Sequence, residues 1–258
     1  MGFALDDLTY DLFLGGALTI LQPKTGYRAG VDPVLMAATV PAISGESVLE
    51  LGCGAGVASL CLASRVPGLT LSGVELQADY IDLARRNADS NGIEMDLHQA
   101  DLSHLPVALL QQNFDHVIAN PPYYLRSNGR AATDAGRELA LGEVTPLAEW
   151  IDVATRRLKP RGHLTIIQDA ERLPALMAAL DGRLGAVKLL PLAPRIGRPA
   201  HLVILHARKG ARAAAQLLAP IVMHEGAAHD FDRDSYTDQI RAVLRSGANL
   251  AMSAVNKK

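Results

Sequence analysis

The sequence VLELGCGAG, residues 48–56, decides how the middle of the chain folds, because closely spaced glycines join an apolar strand to a helical pattern. Gly52, Gly54 and Gly56 carry no Cβ, so the backbone can turn sharply and a ligand can approach the N-terminus of the following helix. We therefore expect a nucleotide-like ligand, with a purely structural turn as the alternative. The dinucleotide fingerprint G-x-G-x-x-G needs a glycine where the chain has Val57, so an NAD site is poorly matched.

Two acidic residues stand at the ends of the next two predicted strands. Glu75 ends the second strand and Asp101 ends the third, and both therefore reach the carboxyl-terminal edge of a parallel sheet, where ligands bind. A carboxylate in the first place can accept hydrogen bonds from two ribose hydroxyls, and one in the second can accept a hydrogen bond from an adenine amino group. Each acid alone is typical of a loop cap or a solvated charge, but the pair after a glycine loop favours a nucleotide site.

Short β-rich runs alternate with helical patterns from residue 47 onward, and this order is typical of an α/β fold with a parallel sheet covered by helices. Seven strands are predicted, at residues 47–52, 69–76, 95–101, 114–120, 162–168, 186–192 and 201–207. We expect three parts: an N-terminal extension (1–45) packed on the main domain, a ligand-binding domain (46–210) and a C-terminal extension (211–258) with a last helix near residues 235–245.

The flanking segments carry local folding signals. Residues 11–23, DLFLGGALTILQP, resemble a hairpin, and the helix that follows is predicted to have Asp32 as its N-cap and Pro33 at its first position. Another helix is predicted to have Thr145 as its N-cap and Pro146 at its first position.

The composition is that of an ordinary globular protein of 258 residues, with 49% hydrophobic residues, a net charge of −2 and a pI of about 6.4. Because the summed field does not attract polyanions, any contact with nucleic acid has to come from a local basic patch. The two cysteines, Cys53 and Cys61, form no CxxC pair, which favours a reduced cytoplasmic location. The apolar run at residues 13–21 falls short of the ~20 residues that span a bilayer, so we expect no membrane segment and no signal peptide.

The segment DHVIANPPYYLRSN, residues 115–128, runs an apolar strand directly into Asn120, Pro121, Pro122 and Tyr123. The prolines fix φ, so the Asn120 amide oxygen and the Pro121 carbonyl can be aimed at one point. An amino group on a purine is a poor nucleophile because its lone pair is delocalised, and two acceptors on its N–H bonds would favour a pyramidal nitrogen. Tyr123 would stack on the base. A rigid turn with a core tyrosine is the alternative.

Taken in order, the motifs LELGCGAG, GVEL, QADL and ANPPYY resemble those of class I S-adenosylmethionine-dependent methyltransferases, over about residues 47–208. The resemblance implies a Rossmann-like, mostly parallel sheet of seven strands whose last strand is antiparallel. It implies that Glu50 and the glycine loop surround the methionine part of the cofactor, that Glu75 holds the ribose and that Asp101 meets the adenine. The cofactor-binding residues implied in these motifs are Glu50, Gly52, Cys53, Gly54, Gly56, Glu75, Leu76, Asp101, Leu102 and Asn120.

Four segments narrow this resemblance. ILQPKTGYRAGVDPVLMAA, NPPYY, GRELALGE and LVILHARKG together are similar to the bacterial tRNA adenine-N6 methyltransferases, which modify the adenine next to the anticodon of a valine tRNA. In that family the segment matching residues 27–32 closes over the cofactor, which implies that Gln22, Arg28 and Asp32 lie near the active site. The RNA-binding residues implied are Tyr123, Tyr124 and the basic Arg126, Arg130 and Arg137, which could touch phosphates.

Other acceptors with a delocalised nitrogen remain open alternatives: glutamine N5 of a release factor, guanine N2 of rRNA and adenine N6 of DNA. The release-factor enzymes usually carry a separate N-terminal helical domain, and residues 1–45 look too few and too β-like for one. A cofactor-binding module without catalysis is a different class of protein, and the intact Asn120 and Tyr123 speak against it. An NAD dehydrogenase is the remotest choice.

Several other motifs are given structural interpretations. His224 and His229 in HEGAAH are five residues apart instead of the four of a zinc-protease helix, so we expect no metal. The chain has no G-x-S-x-G nucleophile elbow and no G-K-[ST] phosphate loop, so the starting residues of a hydrolase and of a P-loop NTPase are missing. RRLKPRG, residues 156–162, is interpreted as a cationic helix end followed by a turn, and Trp150 as a core residue instead of a stacking platform.

Overall fold

The computed structural model describes residues 2–125, 142–143, 145–226 and 235–252. An antiparallel hairpin opens the chain, in which β1 (Leu8–Phe13) pairs with β2 (Leu18–Pro23) across a tight turn at Leu14–Gly16. The hairpin predicted at residues 11–23 is therefore present and begins at Leu8. Helix α1 (Asp32–Thr39) follows it.

Strands and helices then alternate along the chain. The strands are β3 (Ser47–Leu51), β4 (Thr70–Glu75), β5 (Met95–Gln99), β6 (Phe114–Ala119), β7 (Tyr124–Leu125), β8 (Gly142–Glu143), β9 (Leu158–Asp169), β10 (Leu184–Ala193), β11 (Leu202–Lys209), β12 (Gln216–Leu217) and β13 (Ile221–Val222). The helices are α2 (Val57–Arg65), α3 (Ala78–Ser90), α4 (Val107–Leu110), α5 (Leu147–Arg157), α6 (Leu173–Ala179) and α7 (Asp238–Ser246). Across the described ranges, none of the helices has the length and apolar character needed to cross a membrane.

The main sheet has the order β5-β4-β3-β6-β9-β11-β10. All of these strands are parallel except β11, which is antiparallel to both β9 and β10. The predicted seven-stranded sheet with an antiparallel last strand is confirmed, and that strand lies between its neighbours instead of at an edge. The short strands β12 and β13 both pair in parallel with β10, so residues after 211 extend the same sheet.

The two faces of the sheet bury separate apolar clusters. One contains residues from both ends of the chain, including Ile20, Leu35 and Leu250, together with residues of α2 and α3. The other packs α5 and α6 on the opposite face, around residues such as Phe114 and Ile151. Each such side chain, fully buried, contributes about 1.5–3 kcal/mol to the free energy of unfolding. The terminal segments thus share a core with the helices beside the glycine loop.

Two asparagines of α3 hold β2 against the domain. The Asn87 amide accepts the N–H of Leu21 (2.7 Å) and donates to its carbonyl (3.1 Å), while the Asn91 amide does the same with Thr19 (3.0 and 2.8 Å). Four helical residues rise about 6 Å, close to two residues of a strand at about 6.6 Å. Because the two spacings agree, the amides form hydrogen bonds with every second residue of β2, as a neighbouring strand would. These bonds dock the hairpin on the sheet domain.

Two predicted helix starts are wrong by one residue each. Val31 is the N-cap of α1 and Asp32 is its first residue, so the Asp32 carboxylate makes no capping bond and is left for another partner. Helix α5 begins at Leu147, with the extended Pro146 at the N-cap position instead of Thr145. The start of α5 follows the burial of apolar residues such as Leu147, and no side-chain cap contributes to it.

The cationic run at residues 156–162 ends a helix as predicted, but no turn follows, because β9 begins directly at Leu158 and includes residues 159–162. Arg156 pairs with Asp152 (2.9 Å), and Lys159 pairs with Asp115 (2.7 Å). These cations lie at the amino-terminal edge of the parallel strands, away from the edge where ligands bind.

We predict that the hairpin turn and the C-terminal helix are one packed unit. Gly15 and Gly16 both have positive φ (67° and 97°), but only at Gly15 would an added Cβ meet the Arg245 carbonyl oxygen of α7. Gly16→Ala should lower the free energy of unfolding by about 1 kcal/mol through φ strain alone. Gly15→Ala should lower it by about 1–3 kcal/mol more. Urea unfolding checks this, and equal losses in the two variants would contradict the packing.

Candidate functional site

A cavity of about 500 Å³ lies at the carboxyl-terminal ends of β3, β4 and β6, at the sheet edge that binds ligands in open α/β folds. Its volume falls in the range of small-molecule sites. Its walls come from the glycine loop, the ends of β4 and β5, residues 120–123, and the segment between the hairpin and α1.

The glycine loop turns sharply at the floor of this cavity. Gly52, Gly54 and Gly56 all have positive φ (66°, 52° and 83°), a backbone conformation that residues with a Cβ rarely adopt. Gly52 also lies against the indole of Trp150, so that an added Cβ would sit 2.6 Å from its Cη2. Gly56 is the N-cap of α2, and it does not line the cavity.

Glu75, at the end of β4, reaches under the glycine loop. One carboxylate oxygen accepts the N–H of Gly54 and the other accepts the N–H of Gln77, both at 2.9 Å. The residue is only 8% exposed. Desolvation raises the pKa of this carboxyl, and the backbone N–H groups partly oppose the rise. The carboxylate therefore fixes the loop and still has lone pairs that face the cavity.

Glu50 lies behind the loop and is buried (3% exposed). One of its oxygens accepts the N–H (3.0 Å) and the hydroxyl (2.5 Å) of Ser59 in the first turn of α2. Burial raises the pKa of the Glu50 carboxyl to about 7, although these hydrogen bonds favour the charged form. A cation in the cavity would stabilise the charged form further, because opposite charges attract strongly where water is excluded.

Asp101 follows β5 and lines the cavity from an exposed position. Its Oδ1 accepts the N–H (2.9 Å) and the hydroxyl (2.8 Å) of Ser103. These bonds lower the pKa of the Asp101 carboxyl. The residue is therefore both the cap of a short 3₁₀ turn and an acceptor at the rim, beside the buried Leu102.

Asn120 and Pro121 follow β6 at the cavity wall. The Asn120 Oδ1 atom is buried, and no hydrogen-bond partner for it exists among the described residues. The Pro121 carbonyl accepts a hydrogen bond from the Gln168 amide at 3.3 Å and keeps a second lone pair. Because an unsatisfied buried oxygen costs about 1–3 kcal/mol, this acceptor is typical of a site that waits for a donor.

The hydroxyl of Tyr123 donates to Asp32 Oδ2 at 2.7 Å, which joins the segment after β6 to the first residue of α1. Desolvation raises the pKa of Asp32, and the hydrogen bond partly opposes it. Burial and the nearby Asp32 charge raise the pKa of the Tyr123 hydroxyl, so it stays protonated and donates. The tyrosine ring is thereby held in one orientation beside the cavity.

Residues 26–30 cover the front of the cavity. The Tyr80 hydroxyl accepts the N–H of Tyr27 (2.8 Å) and donates to its carbonyl (3.0 Å). The Gln22 amide clamps Ala29 in the same way, with its oxygen 2.7 Å from the Ala29 nitrogen. Arg28 is held by Asp11 (2.6 Å) and by Thr9 and the Pro23 carbonyl (2.8 Å each). The Tyr80 hydroxyl and the Gln22 amide therefore fix this segment before a ligand binds.

The structure brings most of the predicted site residues to one cavity. Those that line it are Arg28, Asp32, Glu50, Gly52, Cys53, Gly54, Glu75, Leu76, Asp101, Leu102, Asn120, Pro121, Pro122 and Tyr123. Gln22 and Gly56 stand behind it. Arg126, Arg130, Arg137 and the Tyr124 side chain lie outside the described residues.

Two lining aromatic residues, Tyr80 and Trp150, were not predicted for the site, whereas Tyr27 begins the segment that was expected to close over the cofactor. The rings of Tyr80 and Trp150 are both buried (3% and 7% exposed), which agrees with the interpretation of Trp150 as a core residue. No local pattern predicts the partner of the Tyr80 hydroxyl, because Tyr27 lies 53 residues away in sequence. The closest signal for Tyr27 was its place in the segment GYRAGVDP.

In the described residues, no three His, Cys, Asp or Glu side chains cluster as a metal site would require. His224 shares a hydrogen bond with the Ser235 hydroxyl (3.0 Å) and stacks on Tyr236. His229 lies outside the described residues.

Comparisons with known proteins agree with this architecture. A family model described as "Methyltransferase small domain" matches residues 30–191. A Porphyromonas gingivalis protein named tRNA1(Val) (adenine(37)-N6)-methyltransferase is 30% identical over 70% of this chain and 76% of its own. A Haemophilus influenzae protein of the same name is 28% identical over 57% of this chain and 64% of its own.

Solved structures are similar over most of the chain. One described as a predicted O-methyltransferase from Agrobacterium tumefaciens has a TM-score of 0.69 at 25% identity, and the match covers 85% of this chain and 98% of that one. A Thermus thermophilus 16S rRNA N2 methyltransferase, solved with AdoMet and guanosine, has a TM-score of 0.54 at 21% identity, over 78% and 50%. The second similarity concerns the fold alone.

The strand order, the glycine loop and the acids at successive strand ends define a class I S-adenosylmethionine-dependent methyltransferase. The fold, the class of enzyme and the cofactor predicted from the sequence are confirmed. The chain belongs to the methyltransferase small domain family, whose model matches more than half of its length.

We predict that Tyr123 and Asp32 are energetically coupled. In a double-mutant cycle of Tyr123→Phe and Asp32→Ala, the coupling should be about 1–2 kcal/mol in the free energy of unfolding, because each single variant leaves a polar group without its partner. Urea unfolding at pH 8 measures it. Tyr10→Phe, at a tyrosine that is 66% exposed, is the matched control and should change stability little. Additive effects would contradict the coupling.

Proposed function

We propose that the chain transfers a methyl group from S-adenosylmethionine to the N6 amino group of an adenine in tRNA. The observation that carries this proposal is the buried Asn120 Oδ1, which has no hydrogen-bond partner among the described residues, next to the Pro121 carbonyl. The relatives named tRNA adenine-N6 methyltransferases support the choice of substrate.

The cavity residues fit the cofactor in shape and chemistry. The glycine loop leaves the floor open, since a Cβ at Gly54 would come no closer than 3.9 Å to Tyr27. Glu50 offers a buried carboxylate to the positively charged methionine end, Glu75 offers acceptors to the ribose hydroxyls, and Asp101 offers an acceptor to the adenine amino group. When bound, the cofactor supplies an electrophilic methyl group on its sulfonium.

Asn120 and Pro121 prepare the acceptor nitrogen. The amide oxygen and the carbonyl can each accept one N–H of an aromatic amine, which withdraws those hydrogens from the ring plane and turns the lone pair toward the methyl group. The two prolines limit the backbone, so this alignment costs little entropy when the base enters. A primary amino group on a planar ring is the acceptor this geometry suits.

Tyr123 provides a flat surface for the base, and its hydrogen bond to Asp32 holds the ring in place before the base arrives. Stacking of a base on an aromatic side chain contributes about 1–3 kcal/mol. The functional division proposed here assigns residues 1–45 to closing the site, 46–210 to cofactor binding and transfer, and 211–258 to supporting the sheet.

The first test is product identification. The purified protein is incubated with S-adenosylmethionine and, separately, with total tRNA, rRNA or a release factor from cells that lack this gene, and the digested products are analysed by mass spectrometry. N6-methyladenosine in tRNA supports the proposal. Methylglutamine in the release factor or N2-methylguanosine in rRNA, with unmodified tRNA, would keep the class of enzyme and reject the substrate.

The role of Asn120 has a test that separates catalysis from folding. Asn120→Ala should lower the rate of methyl transfer by about 10²–10³-fold and leave cofactor affinity nearly unchanged. It should not lower the free energy of unfolding, since the Asn120 oxygen has no partner to lose. Asn87→Ala is the matched control and should destabilise the fold by about 2–3 kcal/mol, because both ends of that buried amide are bonded. An active Asn120→Ala variant would reject the mechanism.

Cofactor affinity should depend on pH through Glu50. The carboxyl has a pKa of about 7 without ligand, and a bound cation favours its charged form, so binding below pH 7 has to release a proton. Affinity for S-adenosylmethionine should therefore fall as pH falls from 8 to 6, approaching tenfold per pH unit at the low end. Calorimetric titrations of wild type and Glu50→Gln measure this. The same pH dependence in both proteins would contradict the role of Glu50.

A further inference from the structure

The positive charge of this chain is unevenly distributed. Residues 182–224 contain seven lysines or arginines and no aspartate or glutamate, although the whole chain has a net charge of −2. The stretch runs through β10 and β11, so its cations fall at both edges of the sheet. Residues 194–201 connect the two strands, and we name this connection the arginine loop. Its cations lie at the edge of the sheet that holds the cavity.

The arginine loop is linked to the segment that carries Tyr123. Its last residue, His201, accepts the N–H of Ala170 (2.7 Å), in the 3₁₀ turn after β9. In the same turn, Arg172 donates to the carbonyl of Tyr123 at 3.4 Å. Desolvation raises the pKa of the Asp32 carboxyl, and the nearby His201 partly opposes this rise. The loop therefore borders the base side of the site, across β6 from the cofactor side.

Within the loop, the two arginines have different surroundings. The Arg195 guanidinium donates to the carbonyls of Glu225 and Gly226 and to the Ser235 hydroxyl, and so anchors the loop. The N–H of Arg198 closes a turn on the Arg195 carbonyl (3.1 Å). Arg198 is exposed, and its guanidinium has no hydrogen-bond or ion-pair partner in the part of the chain that the structure describes. A fixed turn thus presents a solvated cation.

Carboxylates also lie at this edge of the sheet, on both sides of the site. Asp169 and Glu171 stand in the turn after β9, where Asp169 accepts the N–H of Glu171 (3.4 Å). Asp101 is exposed on the cofactor side of the cavity. A polyanion whose base reaches Tyr123 therefore meets repulsion at these carboxylates and attraction at the arginine loop.

We propose that Arg198, at the turn of the arginine loop, binds a backbone phosphate of the RNA whose adenine enters the site. This inference rests on the RNA substrate proposed above and adds the surface that positions it. A guanidinium matches phosphate geometry with paired N–H donors, and phosphate contacts set the register of a nucleic acid without reading its sequence. Ile196 in the same turn is 74% exposed, so the turn is accessible to this partner.

The test measures binding of total tRNA, from cells that lack this gene, to wild type, Arg198→Ala and Arg198→Lys between 50 and 200 mM salt. Arg212→Ala is the matched control, because Arg212 is an exposed arginine of the same acid-free stretch beyond the end of β11, at the opposite edge of the sheet. Arg198→Ala should weaken binding about two- to tenfold and reduce the slope of log affinity against log salt by about 0.7–0.9. Arg198→Lys should restore most of the slope. KM for tRNA should rise in Arg198→Ala, with kcat and cofactor affinity unchanged.

The outcomes separate this inference from the proposed function. If wild type methylates tRNA but Arg198→Ala binds it with unchanged affinity and slope, the arginine loop has no role and the function stands. Equal losses in Arg198→Ala and Arg212→Ala would also reject the inference, since they would reflect net charge alone. If wild type methylates a release factor and no tRNA, both the function and this surface are rejected.

Discussion

Polar groups buried beneath the glycine loop fix its backbone, and the rest of the site is placed relative to that loop. Glu75 accepts the N–H of Gly54, the Asn87 amide donates to the Ala55 carbonyl, and Glu50 accepts the N–H of Ser59 at the start of α2. Burying two carboxylates costs free energy, which these hydrogen bonds and the helix N-terminus offset. The loop cannot shift without leaving a buried charge unpaired, so the cavity floor is rigid before any ligand binds.

The base side of the site depends on contacts between segments that are far apart in the chain. Tyr123 follows β6, yet its orientation is set by Asp32 at the start of α1. The same N-terminal region is held by Tyr80 and Gln22, which clamp the segment over the cavity, and by Asn87 and Asn91, which dock β2. The hairpin therefore supports the segment that covers the cavity, although none of the residues of β1 and β2 lines it.

Acidic and basic side chains are separated along the edge of the sheet that holds the cavity. The carboxylates that line the cavity suit a ligand with a positive end, while the arginine loop between β10 and β11 places cations on the same edge of the sheet. The basic run at residues 156–162 lies at the opposite edge of the sheet, where Arg156 and Lys159 pair with carboxylates and Arg157 donates to carbonyls. A chain with a small negative net charge can therefore combine a cation site and an anion surface on one edge.

The sequence by itself determined the succession of strands along the chain, the glycine loop and the acids Glu75 and Asp101 at successive strand ends. These features follow from local periodicity and from the rule that parallel strands bring their carboxyl ends to one edge. Tertiary structure alone decided that Tyr80 and Trp150 line the cavity, that Asp32 accepts from Tyr123 instead of capping α1, and that residues after 211 extend the sheet. The physical reason is sequence distance: the Tyr123–Asp32 pair spans 91 residues, and no local pattern encodes a partner that only the packed core brings within reach.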